Sequence, residues 1–301
     1  MQRAASVDPT ALLGTEWQKN ATRFGSIPLY PAGEKTSFEC MAADHDNLQE
    51  LRSLATNMYL LKVINIVSAY VFFHALRIAI GLLRTRPRAV ATWCCTLQAV
   101  SGVIYNIISL TGILPSGGSC RQLMWAGAAG MSISDLCISI VLLQKAYAVY
   151  NRRRWILAFI PLIVIAAPVI TYIAWASPVI LSPTCGCGFI YPAYFPWLRF
   201  GLYVPLDVGF STVFIIIMHR QLRLFGSSAW KQLKKDGIQT IMCLLISHLI
   251  CLILLAFALS GNAAGVTMGI DWAIAGLLLP AHIRTTQSTS VARPFSPISV
   301  R

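Results

Sequence analysis

Residues 89–114 read AVATWCCTLQAVSGVIYNIISLTGIL, a stretch without a single charged side chain. A helix that crosses a membrane needs about 20 consecutive, mainly apolar residues. The rest of the sequence has the same character, because 56% of its 301 residues are hydrophobic and only 12% are charged. These values exclude an ordinary soluble domain and predict a protein that lies mostly in lipid.

One apolar stretch precedes this segment and five follow it, separated by basic, glycine-rich or proline-rich connections. We therefore predict an all-α membrane protein, with a bundle of seven transmembrane helices within residues 57–283. Residues 1–56 are expected to form a largely irregular extracellular segment, and residues 284–301 a disordered cytoplasmic tail. The predicted helices are about 58–83, 89–114, 120–150, 155–181, 197–218, 238–260 and 266–283.

Basic residues are concentrated in the connections after the first, third and fifth predicted helices. They are Arg84, Arg86 and Arg88, then Arg152, Arg153 and Arg154, then Arg220, Arg223, Lys231, Lys234 and Lys235. The positive-inside rule places these connections in the cytoplasm, so the amino terminus lies outside and the carboxy terminus inside. The net charge of +13 thus lies beside the membrane, which favours anionic lipid over nucleic acid as a partner.

Two features of the segments predicted to lie outside agree with this orientation. Asn20-Ala21-Thr22 is an acceptor for N-glycosylation, which takes place only on the luminal or extracellular side of a membrane. Four cysteines also lie outside, where thiols oxidise, and they allow three pairings. They are Cys40, Cys120, Cys185 and Cys187. We expect a multi-pass protein of the plasma membrane.

Seven helices, a glycosylatable outer terminus, a cysteine opening the third helix and cysteines before the fifth helix resemble the rhodopsin-like G-protein-coupled receptors. In that superfamily a disulfide joins the outer end of the third helix to the second outer loop. The resemblance implies a bond from Cys120 to either Cys187 or Cys185. It also implies an extracellular ligand and a heterotrimeric G protein as partners.

Lys145 lies at the inner end of the third helix, where this superfamily has the arginine of its Asp-Arg-Tyr motif. A lysine keeps the positive charge but lacks the planar fork of an arginine. The residues expected to contact a G protein are Lys145, Arg152, Arg153 and Arg154. A lysine that extends to the lipid interface is the alternative interpretation of Lys145.

The sixth and seventh helices lack the Cys-Trp-x-Pro and Asn-Pro-x-x-Tyr motifs of the superfamily, so the resemblance is to a divergent member. The stretch from Lys145 to Trp155 also resembles seven-helix receptor-like proteins of fungi.

Ionisable side chains also occur inside the predicted helices, where each charge costs roughly 2.5–3.5 kcal/mol on insertion scales. Those singled out as candidates for function are Lys62, Asp135, Arg199, Asp207, His248 and Asp271. We expect Asp207, His248 and Asp271, with Arg199 nearby, to form a polar ligand pocket below the outer surface. The alternative is that Asp207 and Asp271 each find a neighbouring hydroxyl group or Arg199 and serve only helix assembly.

No glycine-rich phosphate loop, zinc motif or serine elbow is present, and the seventh helix has no lysine that could bind retinal. We therefore expect no enzymatic activity, no cofactor and no metal. Two functions remain. One is a receptor of the G-protein-coupled type. The other is a small cation- or proton-coupled transporter or channel that uses Asp135, Asp207 and Asp271, although no internal repeat supports it.

Overall fold

The computed structural model is mainly helical. It describes residues 13, 16–19, 21–36, 38–39, 48–112, 114, 117–149, 154–182, 186–225, 238–257 and 264–291. Seven long α-helices lie within these residues. They are α1 (Leu48–Thr85), α2 (Val90–Thr111), α3 (Cys120–Val149), α4 (Ile160–Ala176), α5 (Phe195–Phe225), α6 (Ile238–Ala256) and α7 (Ala264–Val291).

Five of these helices are long and apolar enough to cross a membrane. Their apolar parts are Met58–Thr85, Val90–Thr111, Cys120–Tyr147, Ile156–Ala176 and Gln239–Ala256. Helix α7 contains a shorter apolar part, Thr267–Ile283. The length and composition of these helices indicate a membrane protein.

Each helix packs against the next one along the chain, and α7 packs against α1. Helix α3 contacts α2, α4, α5 and α7, and α7 contacts α1, α2, α3 and α6. The largest buried cluster joins α3, α5 and α6 through side chains such as Leu142, Phe210 and Leu245.

Small residues allow a close approach of α1, α2 and α7. Phe72 is fully buried, and its ring centroid lies 5.0 Å from that of Trp272. Gly102 and Gly276 face the Phe72 ring, and a Cβ atom at Gly276 would lie only 2.9 Å from it. Glycine at these positions brings neighbouring backbones together, as is common between membrane helices.

Helix α1 begins ten residues before the predicted start, at Leu48 rather than residue 58. Its first ten residues, LQELRSLATN, are mostly good helix formers, but they are too polar to belong to an apolar segment. The segment 1–56, expected to be largely irregular, therefore ends in helix.

The prediction of helix 155–181 was wrong at both ends. Residues Arg154–Phe159 form a 3-10 helix, and α4 begins beside Pro161, which suits the first helical turn. At the other end, Ser177 has extended backbone angles because it precedes Pro178, and the helix stops at Ala176. A strand at Val179–Ser182 follows and pairs with a strand at Gly186–Phe189 in an antiparallel hairpin.

The last three helices also differ from their predicted bounds. Helix α5 extends at both ends of 197–218, and α6 ends at Ala256, four residues before the predicted end. Helix α7 continues to Val291, into the tail that was expected to be disordered. A backbone that satisfies its own hydrogen bonds continues past the apolar part of the sequence, so hydropathy alone misplaces the helix ends.

A second hairpin precedes α1. It is formed by Arg23–Phe24 and Ile27–Pro28, and a 3-10 turn follows at Pro31–Glu34. The prediction of an all-α protein thus holds for the bundle but not for the segment before α1 and the connection between α4 and α5.

Candidate functional site

Five ionisable side chains from four helices meet inside the bundle. They are Asp135 of α3, Arg199 and Asp207 of α5, His248 of α6 and Asp271 of α7. Each of these residues, taken as a whole, is less than 10% exposed. We call this group the polar cluster.

Two ion pairs connect most of the polar cluster. Nη2 of Arg199 lies 3.2 Å from Oδ2 of Asp135 and donates a hydrogen bond to it. Nδ1 of His248 lies 2.8 Å from Oδ2 of Asp271. The other ring nitrogen of His248, Nε2, lies 3.8 Å from Oδ2 of Asp207, which is too long for a hydrogen bond. The imidazole therefore lies between two carboxylates.

The spacing of residues along α5 explains why this helix contributes twice. Arg199, Tyr203 and Asp207 are four residues apart, so they lie on one helical face. The guanidinium of Arg199 also lies over the Tyr203 ring, 5.8 Å from its centroid. Tyr203 was missed in the sequence, although its spacing from the two charged residues could have revealed it.

A small cavity lies beside Asp207. Its lining includes Asp135, Ser139, Tyr203 and His248, together with apolar side chains of α3 and α6. Oδ2 of Asp207 has no hydrogen-bond partner among the described residues. Within the same residues, no group of three His, Cys, Asp or Glu side chains is arranged to hold a metal ion.

The structure thus brings together the four side chains expected in a ligand pocket. It also adds Asp135, which the sequence placed in the middle of the third helix without assigning it to the pocket. The alternative expectation paired Arg199 with Asp207 or Asp271, but the hydrogen-bond partner of its guanidinium is Asp135. Asp207 is left as the carboxylate with the weakest pairing.

A disulfide joins the N-terminal end of α3 to the hairpin before α5. Cys120 bonds to Cys187, and their Cα atoms are 5.4 Å apart. This resolves the choice between Cys187 and Cys185, the latter of which lies outside the described residues. The hairpin therefore stays fixed to the helix that provides Asp135.

The chain between this hairpin and α5 is aromatic. The ring of Tyr191 stacks on Phe195, with centroids 4.2 Å apart and planes 3° apart. Burial raises the pKa of the Tyr191 phenol, so the side chain remains neutral at physiological pH.

The N-terminal segment packs on the same end of the bundle. Arg121 of α3 pairs with Glu34, and its Nη2 donates a hydrogen bond of 2.6 Å to the Tyr30 carbonyl. The backbone N–H of Cys120 donates to the carbonyl of Lys35, 3.1 Å away. Gly33 is buried, and a Cβ atom there would lie 3.1 Å from the Val179 carbonyl oxygen. These contacts link distant parts of the chain and have no local sequence signal.

The predicted glycosylation site, Asn20, lies outside the described residues.

Aromatic rings extend this contact. Trp125 and Trp175 are stacked with centroids 5.2 Å apart, and Phe24 meets Trp125 edge-on at 5.6 Å. The N-terminal hairpin thereby covers part of the α3–α4 surface.

The opposite end of the bundle contains Lys145. Its Nζ contacts Nε2 of His282, which joins α3 to α7. Arg154 is exposed in the 3-10 turn before α4. Arg152 and Arg153, the other residues expected to contact a G protein, lie outside the described residues. His282 is buried and was not expected from the sequence to be part of this surface.

The chain was also compared with known proteins. No protein-family model and no curated protein matches it.

Proposed function

We propose that the protein is a receptor-like signalling protein of the G-protein-coupled type, which binds an extracellular ligand of unknown identity. It crosses the plasma membrane seven times, with its amino terminus outside and its carboxy terminus in the cytoplasm. The observation that carries the proposal is the disulfide between Cys120 and Cys187. It fixes a hairpin to the end of α3, the same helix that provides Asp135 to the polar cluster.

The exposed surface of α5 supports seven crossings. The charged residues Arg199 and Asp207 of this helix are buried in the bundle, whereas Val208, Ile215 and Ile216 are about half exposed. A helix with this distribution presents apolar side chains to lipid and keeps its charges inside. The apolar part of α7, Thr267–Ile283, has a length of 17 residues and approaches the thickness of the hydrocarbon layer.

The polar cluster provides the two-state element that a receptor needs. It connects α3, α5, α6 and α7 by charged contacts, and those contacts depend on how the four helices are positioned. A ligand that binds one arrangement more tightly than another shifts the population of the two. The contact between Lys145 and His282 lies at the opposite end of the bundle and joins α3 to α7. It therefore differs between the two arrangements when α3 moves relative to α7.

The proposal is tested by capture of a heterotrimeric G protein on the purified, full-length chain in detergent. The wild type is compared with a variant in which Lys145, Arg152, Arg153 and Arg154 are replaced by glutamine. A matched control replaces four basic residues of the predicted outer segment, Lys19, Arg23, Lys35 and Arg52.

We expect the wild type and the control to capture G protein and to release it when a GTP analogue is added. The inner variant should capture at least tenfold less. Equal capture by all three proteins, or no capture by any of them, would contradict coupling through this surface.

A cation- or proton-coupled transporter is the second candidate, and the excess of carboxylates in the polar cluster favours it. Three aspartates face one arginine and one histidine, an arrangement suited to exchanging positive charge. Proteoliposomes with an imposed proton gradient distinguish the two functions. Proton-driven uptake that is lost in Asp207→Asn would support a transporter, whereas a receptor should show no flux.

A further inference from the structure

The polar cluster contains more negative than positive groups. Asp135, Asp207 and Asp271 are acidic, and only Arg199 and His248 are basic. If His248 carries a proton and all three carboxylates are ionised, the cluster still has one uncompensated negative charge. A buried carboxylate without a compensating partner is strongly destabilising, so the folded bundle favours the uptake of one more positive charge.

The contacts identify the residue that would receive this charge. Asp135 accepts a hydrogen bond from Arg199, and Asp271 lies within hydrogen-bond distance of His248. Among the described residues, the contact found for the Asp207 carboxylate is the long one of 3.8 Å to Nε2 of His248. Its Oδ2 is buried without a hydrogen-bond partner among the described residues and lines the small cavity.

The surroundings of Asp207 favour a proton over a larger cation. Much of the cavity lining is apolar and comes from Ile138, Leu244 and Leu245. A metal ion would need several oxygen ligands at short range, and the described side chains contain no such group of three. A proton needs no coordination shell, and it converts the carboxylate into a neutral group with one donor.

We propose that Asp207 is a proton-binding site, and that it holds a proton while the bundle is closed around the cluster. The proton comes from bulk water, forms a bond to a carboxylate oxygen of Asp207, and returns to water when the site ionises. No other bond changes. This site goes beyond the proposed receptor function, because it would bind its proton whether or not a G protein couples to the chain.

Every element packed around Asp207 contributes a group that influences this proton. Helix α3 provides Asp135, and α5 provides Arg199 and Tyr203. Helix α6 provides His248, which also faces Asp271 of α7. The carboxylates favour the protonated form of Asp207, whereas Arg199 and a protonated His248 favour its ionised form. Loss of the proton would leave two carboxylates on either side of one imidazole and would weaken the packing of α5 against α6.

The test is infrared difference spectroscopy of the full-length protein in lipid nanodiscs at neutral pH. A protonated carboxyl group gives a separate stretching band, which shifts when the solvent is changed to D2O. The variants are Asp207→Asn, Asp207→Glu and, as a matched loss of a carboxylate outside the cluster, Glu34→Gln. The side chain of Glu34 is 58% exposed.

We expect the wild type to show the band of one carboxyl group per chain, and Glu34→Gln to keep it. Asp207→Asn should lose the band, and Asp207→Glu should keep it at a displaced frequency. The Glu variant retains the carboxyl group, so it tests the assignment even if the Asn variant does not fold.

Two results would overturn the proposal. One is a wild-type protein without the band, which includes the case in which Na⁺ rather than a proton compensates the charge of Asp207. The other is a band that stays unchanged in both Asp207 variants, which would place the proton on another carboxyl group.

Discussion

Nδ1 of His248 lies 2.8 Å from Oδ2 of Asp271, and this contact joins α6 to α7 in the middle of the bundle. The second ring nitrogen of His248, Nε2, lies 3.8 Å from Oδ2 of Asp207, so the contact with Asp271 is the shorter of its two carboxylate contacts. The stability of the bundle should therefore depend on this pair.

We predict that His248→Gln lowers the free energy of unfolding by about 3 kcal/mol, because it leaves the acidic groups of the cluster with Arg199 alone. Addition of Asp271→Asn should recover part of the loss, with a coupling energy of about 0.5–3 kcal/mol between the two changes. Denaturant unfolding in mixed micelles measures both values. The control is His219→Gln, an exposed histidine of α5, which should be neutral. Strict additivity of the two cluster changes would contradict the contact.

The Cys120–Cys187 disulfide should stabilise the end of the bundle at which α3 begins. The two residues are separated by 67 positions, so the bond restricts a long loop in the unfolded chain. We expect Cys187→Ser to cost about 2–5 kcal/mol of stability and to leave Cys120 as a free thiol, which is buried and is therefore alkylated in denaturant. Cys243→Ser removes an exposed, unpaired cysteine of α6 and should change neither quantity. An unreactive Cys120 thiol in the Cys187→Ser variant would show that Cys120 has a different partner.

Two glycines give a sharp test of the packing of α1 against α2. A methyl group at Gly102 would overlap the buried Phe72 ring, whereas Gly81 has open space around it. Gly102→Ala should therefore destabilise the protein by about 1–3 kcal/mol. Gly81→Ala should be neutral or stabilise it by up to about 1 kcal/mol, because alanine favours helix. Thermal unfolding of the two variants side by side measures the difference, and equal melting temperatures would contradict this packing.

Arg121 should hold the N-terminal segment on the bundle, since it binds both Glu34 and the Tyr30 carbonyl. In Arg121→Ala we expect faster amide hydrogen exchange within residues 21–36, by at least tenfold, and no change in α6. The backbone N–H of Gly33, which donates to Tyr30, is the most informative probe. Arg23→Ala removes an exposed charge from the same segment and serves as the control. An unchanged exchange rate in Arg121→Ala would show that the segment is held by other contacts.

Hydropathy predicted the central parts of the helices because a membrane span needs a long apolar stretch. It failed at the ends for identifiable reasons. The apolar run Val179–Leu181 looks like the end of a helix, yet Pro178 interrupts the backbone hydrogen bonds and the run becomes a strand. The segment Leu48–Asn57 is helical but too polar overall for a membrane span, so a hydropathy window does not include it.

Four of the five members of the polar cluster, all but Asp135, could be assigned to it from the sequence, because charged residues in lipid are costly and rare. Their pairing could not, since the partner of Arg199 depends on how α3 and α5 are rotated about their axes. The contact of Lys145 with His282 was also missed. The two residues are 137 positions apart, and their contact depends on how α3 and α7 are rotated about their axes. Tyr203 was missed as well, although its spacing from Arg199 and Asp207 is visible in the sequence and could have revealed it.

Both candidate functions depend on seven crossings with the amino terminus outside. A glycosylation scan tests this claim most directly, with acceptor triplets on spacer inserts placed in each connection between helices. The account predicts glycosylation in the connections α2–α3, α4–α5 and α6–α7, and none in α1–α2, α3–α4 and α5–α6. Glycosylation of the α5–α6 connection, without glycosylation of α6–α7, would mean that α5 does not cross the membrane and would contradict the account.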